Sequence, residues 1–277
     1  MDDSRRILLR RTLAVFGFAI FAGALAFALD RAAPRIEQIN VAWVIPMCLV
    51  VLASLAVQME QIIVFLRSRG GEETRRWAAW FASEKAWLNV AIPAKAGTIG
   101  AVAVIVKRHG LPWSEYVAFM LLCSLLTAAV SLGGALFLFL NKSVALSACI
   151  MLWLVLIAMP RLPGDRGRSS RIYLLILALA NLLAISLGLV SALRVLGIAG
   201  EFVELFPAGI ALNLLSIASL TPGNFGVRET VLAVLSPMLT VTFAEVTLAA
   251  SLFIIARLAV AFLLATLLRR AVWITRD

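Results

Sequence analysis

Apolar positions run along this chain in long unbroken blocks, not in the one-sided stripe of a soluble helix. Six blocks, at 12–29, 41–66, 115–140, 143–159, 172–196 and 243–268, have the roughly 20-residue length that a helix needs to cross a bilayer, and they predict six full transmembrane helices. Two further blocks, 77–106 and 205–238, are broken in the middle. The first break is Pro93-Ala94-Lys95-Ala96-Gly97, and the second is Pro222-Gly223-Asn224-Phe225-Gly226-Val227-Arg228-Glu229. Backbone that leaves a helix inside a bilayer strands N–H and C=O groups, which is tolerated only where protein or a water-filled cavity satisfies them. Both breaks, with their shared Pro-x-x-x-Gly spacing, are therefore expected to mark a site.

Composition narrows the class. Residues AVILMFWYC supply 62% of the 277 positions and charged residues only 14%, well away from the usage of soluble domains. An all-α polytopic membrane protein is expected, with 1–277 forming one integral membrane domain. No polar stretch between the blocks has room for a soluble domain of about 50 residues, so any chemistry falls to the membrane part. The formal charge of +10 comes largely from Arg beside apolar blocks, where it sets topology; no nucleic-acid partner is expected. Cys48, Cys123 and Cys149 sit inside apolar blocks without metal-ligand spacing and read as buried small hydrophobes. No metal or cofactor is expected. The opening Ser4-Arg5-Arg6-Ile7-Leu8-Leu9-Arg10 resembles a twin-arginine signal, but the many spans after it favour a retained first helix anchored by cytoplasmic Arg.

Positive charge chooses between the ways of threading the broken segments. With both termini in the cytoplasm, Arg5 to Arg11, Arg67 to Arg76, Lys107 with Arg108, Arg161 to Arg171 and Arg269 to Arg276 all fall inside. Outside loops then carry little beyond Arg31, Arg35, Lys142 and Arg194. That balance requires each broken segment to be a re-entrant hairpin that returns to the side it left, the first from the cytoplasm and the second from the outer face. Residues 41–140 and 172–268 would then be two helix-hairpin-helix units of opposite orientation, an inverted repeat whose breaks meet near the midplane.

Leu88-Asn89 ahead of Pro93-x-Lys95-x-Gly97, and Ser219-Leu220-Thr221-Pro222-Gly223-Asn224-Phe225-Gly226-Val227-Arg228-Glu229, resemble the two signature regions of the lysylphosphatidylglycerol synthase transmembrane family, also called flippase-like. The likeness is to a stand-alone member without the aminoacyl-transferase domain. Lys95 stands where the family usually has Arg, and Thr98 where it has an acid. The resemblance implies a role in membrane-lipid or cell-envelope biosynthesis in the bacterial cytoplasmic (inner) membrane.

Lys95 and Arg228 stand at the two breaks and could face one central cavity. Arg suits phosphate oxygens as a fork and Lys as a point charge, and helix N-termini after Pro93 and Pro222 add free N–H groups. The competing readings are an ion pair with Glu229 for Arg228 and interfacial snorkelling for Lys95. Glu229 either complements its helix dipole or orients Arg228 and meets the substrate. Asn89, Asn213 and Asn224 are candidates for satisfying broken backbone or touching a headgroup, and Glu84 for lining a lipid entrance. Pro93, Gly97, Pro222, Gly223 and Gly226 make the breaks. Glu60 and Glu245 read as interfacial, Arg257 as a mid-span cation with a buried acid partner, Trp77, Trp80, Trp87 and Trp113 as an interfacial belt, and His109 as a solvated loop residue.

The function expected from these residues is a lipid translocase that binds an anionic or polyprenyl-phosphate headgroup. A non-catalytic partner of lipid or polysaccharide biosynthetic enzymes is the second reading. An intramembrane lipid-modifying transferase is the third, and no catalytic motif for it is present: no Asp-x-Asp, no His-Glu-x-x-His, and a single His.

Overall fold

The computed structural model describes residues 39–71, 73–91, 96–139, 168–217, 224 and 227–274, with isolated positions at 26, 30 and 150. Among the described residues are eight α-helices and no strand: α1 Val44–Ser68, α2 Arg75–Ala91, α3 Ala96–His109, α4 Trp113–Phe139, α5 Arg168–Val195, α6 Phe202–Leu215, α7 Val227–Leu235 and α8 Phe243–Ile274. Short 3-10 turns at Val41–Trp43 and Ser236–Met238 lead into α1 and follow α7. Four stretches, Val41–Ser68, Trp113–Leu136, Ser170–Val195 and Phe243–Arg269, are long and apolar enough to cross a membrane. They coincide with four of the six expected crossings. The other two, 12–29 and 143–159, fall almost wholly outside the described residues, as do Pro93, Lys95, Pro222, Gly223 and Gly226.

Local chemistry fixes the helix ends. α5 stops because Gly197 takes a left-handed φ of 72°, which lets the Ile198 N–H reach back to the Leu193 carbonyl at 2.9 Å and close the last turn. Thr74 caps α2, its Oγ1 accepting from the Trp77 N–H at 3.2 Å. At the start of α8, the Thr242 N–H donates to Glu245 Oε2 at 2.7 Å and the Glu245 N–H reaches Thr242 Oγ1 at 3.4 Å, a reciprocal capping box. Glu245 thus serves a helix terminus and is buried there.

The helices pack in a pattern that maps onto itself. α1 lies along α5; α1 packs on α2 as α5 does on α6; α2 packs on α3 as α6 does on α7; α3 meets α4 as α7 meets α8. Across the halves, α8 lies along α2 and α4 along α6, while α1 touches α8 as α5 touches α4. Only the α5 and α8 pair has no counterpart of like extent among the described residues. α1 and α5 run antiparallel: at one end the Asn40 N–H, just before α1, donates to the carbonyl of Val195, the last residue of α5, at 2.9 Å. At the other end the Tyr173 hydroxyl approaches Glu60 at 3.4 Å.

Two apolar clusters result. One gathers Phe65, Trp77, Tyr116, Leu126 and Leu182 from α1, α2, α4 and α5, with Phe65 edge-on to Tyr116 at 5.2 Å. The other gathers Val51, Leu189, Leu193, Leu205 and Val246 from α1, α5, α6 and α8. Gly134 on α4 faces the Ile210 side chain of α6, where a Cβ would come within 3.0 Å, so this small residue serves packing within the chain.

Tertiary packing corrects two expectations. Trp77 is no interfacial anchor: it is 1% exposed and stacks on Phe81 at 4.8 Å inside the first cluster. His109 is no solvated loop residue, since it ends α3 with its ring edge-on to Trp77 at 5.4 Å. Beside it Arg108 donates twice to Glu73, at 2.6 and 3.0 Å, and lies 4.9 Å over the Trp77 ring. This cluster ties the far end of α3 to the approach of α2. Burial holds the His109 imidazole below its ordinary value and Arg108 pushes the same way, against the opposing pull of Glu73.

Candidate functional site

Each broken segment has an asparagine side chain that bonds to a flanking helix arm. At the first, Asn89 near the end of α2 accepts from the Thr98 N–H at 3.0 Å through Oδ1 and donates to Thr98 Oγ1 at 3.1 Å through Nδ2. One of the donors left orphaned at the start of α3 is thereby satisfied. Gly97 makes the approach possible: a Cβ there would lie 2.2 Å from the Lys85 carbonyl oxygen and 2.9 Å from the Asn89 amide nitrogen. At the second, Asn224 adopts a left-handed φ of 57°, which Asn tolerates better than most residues. Its Nδ2 donates to the Leu215 carbonyl at the end of α6, and its Oδ1 is buried without a partner among the described residues.

Past the second break, Arg228 and Glu229 open α7, both buried. The Arg228 guanidinium pairs with Glu229, donates to Ser251 Oγ at 3.0 Å and reaches the Ala250 carbonyl at 3.4 Å. Ser251 in turn donates to the Thr247 carbonyl at 2.8 Å. The arginine therefore fastens α7 to the N-terminal third of α8.

Asn213 on α6 takes part in a polar chain that crosses four helices. Ser54 of α1 donates to Asn181 of α5, Asn181 to Asn213, and Asn213 to Ser131 of α4, each at 3.0 Å. Every step is satisfied in an apolar interior, where an unmade bond would cost about 1–3 kcal/mol. The chain of bonds thereby links α1, α4, α5 and α6 through their interior faces.

Next to these elements lie two cavities of about 140 Å³ each. One borders the second apolar cluster and is lined by Asn224, Arg228, Leu212, Ala250 and Phe253 among others. The other borders the first cluster and is lined by Lys85, Gln61, Thr98, Cys123, Thr127 and Asn181 among others. Gln58, Asn89, Ser216 and Arg257 line both. The described lining residues include three cations, Lys85, Arg228 and Arg257, and no carboxylate.

The sequence-predicted residues distribute unevenly around this space. Asn89, Asn224 and Arg228 line it, and Glu229 stands behind Arg228. Asn213 is one bond away from the lining through Asn181. Glu84 lines neither cavity; its carboxylate accepts from Trp87 Nε1 at 3.1 Å. Arg257 departs from its expected role, because among the described residues no acid pairs with it, and its buried Nε has no hydrogen-bond partner.

Sequence reasoning passed over Gln58, Gln61 and Lys85. Signals for all three were present: Ser54, Gln58 and Gln61 follow i, i+4, i+7 spacing and form a polar stripe on a largely apolar helix. Lys85 lies four residues before Asn89, hence on the same face of α2. No family model matches the chain, and no curated protein matches it either.

Proposed function

We propose that this chain is a lipid translocase that takes an anionic headgroup into the paired cavities beside the helix breaks while the tails remain in the bilayer. The observation that carries the reading is a lining of three cations, amides and hydroxyls with no carboxylate among its described members, set within a bundle of membrane-length helices. A buried cationic site of this kind attracts anions strongly because the surrounding dielectric is low. The self-matching helix pairing and the antiparallel contact of α1 with α5 support two inverted units, 41–140 and 172–268, with the segments around the breaks as re-entrant hairpins from opposite faces. Rocking of one unit against the other would expose the headgroup to each leaflet in turn. The charge distribution supports a bacterial inner membrane setting with both termini cytoplasmic, and the motif resemblance to the flippase-like family supports a place in membrane-lipid or envelope biosynthesis.

The test is headgroup accessibility in proteoliposomes that carry a fluorescent phosphatidylglycerol, with a fluorescent polyprenyl phosphate in a second set. Faster exposure of either probe to an external quencher than in protein-free vesicles is the expected result. Traces equal to those of protein-free vesicles for both probes, with folded protein recovered, would overturn the reading.

A further inference from the structure

Of the three cations around the cavities, Arg228 is committed to Glu229, Ser251 and the Ala250 carbonyl, and Lys85 has a partner of its own. Arg257 differs. It lines both cavities, has neither an ion pair nor a hydrogen bond among the described residues, and its Nε is shut away from solvent. A guanidinium kept charged inside an apolar bundle without an acid is costly, and a fold that needed it only for packing could replace it with Met or Leu at little loss. Gln58 of α1 also lines both cavities and also makes no side-chain hydrogen bond among the described residues. An uncommitted planar fork of donors and an uncommitted amide thus line the same two cavities.

We infer that Arg257, assisted by Gln58, is the substrate-contacting residue, and that it holds a phosphate oxygen pair of the headgroup from whichever cavity is open. The guanidinium presents two parallel N–H donors with the spacing of a phosphate edge, and the Gln58 amide supplies a neutral donor or acceptor for the adjoining part of the headgroup. Arg228 on this view is a positioning residue that fixes α7 and the wall of one cavity. The inference rests on the translocase reading, but it places the anion at a different residue from the one the break motifs single out. A position shared by both cavities lets one cation serve both ends of the passage, so a headgroup need not be released between them.

The experiment uses the full chain in detergent and in proteoliposomes, with Arg257→Gln, Arg257→Lys and Gln58→Leu beside wild type. The probes are short-chain phosphatidylglycerol, inorganic phosphate and fluorescent phosphatidylglycerol in vesicles. Expected are a melting temperature for Arg257→Gln equal to or above that of wild type, at least tenfold weaker phosphatidylglycerol binding, loss of scrambling, and partial recovery of both with Arg257→Lys. A melting temperature that falls by several degrees with binding unchanged makes Arg257 structural and overturns the inference, while wild-type scrambling leaves the translocase reading standing. Wild type that neither binds nor scrambles phosphatidylglycerol but binds inorganic phosphate through Arg257 keeps the anion site and overturns its lipid source. Wild type that binds none of the probes overturns the inference.

Discussion

Gly97 on α3 lies so close to Lys85 on α2 that a Cβ added to it would sit 2.2 Å from the Lys85 carbonyl oxygen. The atom it would strike is main chain, so no rotamer change relieves the overlap. Gly97→Ala is therefore expected to force the two arms apart and cost about 1–3 kcal/mol. Gly100→Ala, three residues on in the same helix and facing open space, is expected to be neutral or slightly stabilising. Thermal unfolding in detergent, followed by Trp fluorescence, separates the two; equal melting temperatures would refute the close approach.

Asn89 bridges the same pair of arms through its side chain. Asn89→Asp keeps the acceptor that meets the Thr98 N–H but loses the Nδ2 donor, whereas Asn89→Ala loses both. The alanine variant should cost about 0.5–2 kcal/mol, and the aspartate should cost less. Amide hydrogen exchange at Thr98 is the direct readout: protection should fall markedly in Asn89→Ala and be largely retained in Asn89→Asp.

Arg228 and Glu229 are buried together, so removing either one takes from the other the opposite charge it is paired with. Arg228→Met and Glu229→Leu, made singly, are each expected to cost about 3–5 kcal/mol, and the double variant is expected to lie closer to wild type than either. A double-mutant cycle measured on unfolding midpoints gives the coupling. Strictly additive losses would show that the pair contributes nothing as a pair. The loss of activity expected from either single variant therefore reports on the fold, which is why Arg257 is the sharper probe of the substrate.

The cluster that ties α3 to the approach of α2 should respond to acid. Burial against Trp77 holds the His109 imidazole below its ordinary 6.5. A base whose folded value is depressed binds fewer protons when folded than when unfolded, so its contribution is complete above about pH 6.5 and is lost as pH falls toward the folded value. Unfolding midpoints should therefore decline between neutral and mildly acidic pH, and His109→Gln should flatten that slope. An unchanged slope in the variant would remove His109 as the source.

How far the residues alone reach can be judged position by position. Pro93-x-x-x-Gly97 and Pro222-x-x-x-Gly226 announced the ends of helices, because proline and glycine act on the backbone they occupy, and the arms α2, α3, α6 and α7 end around them. The blocks at 41–66, 115–140, 172–196 and 243–268 were equally legible, since uninterrupted apolar length is a local property and each corresponds to a helix in the fold. Trp77 was not, because a tryptophan near positive charge looks the same whether it faces headgroups or a core, and only the closing of α2 onto α3 and α4 buries it.

The cations divide along the same line. Sequence determined that Arg228 and Arg257 would be expensive to bury, since a charge in an apolar setting is costly wherever it falls. An acid beside Arg228 was legible in the sequence, but whether any acid would reach Arg257 was decided by tertiary structure, because that depends on distances of a few ångströms between helices that are far apart in the chain. Glu229 is the next residue to Arg228, and Ser251 reaches it only because α8 passes alongside α7. Among the described residues no acid comes to Arg257, and the packing of α1, α2, α5, α6 and α8 leaves space around it instead.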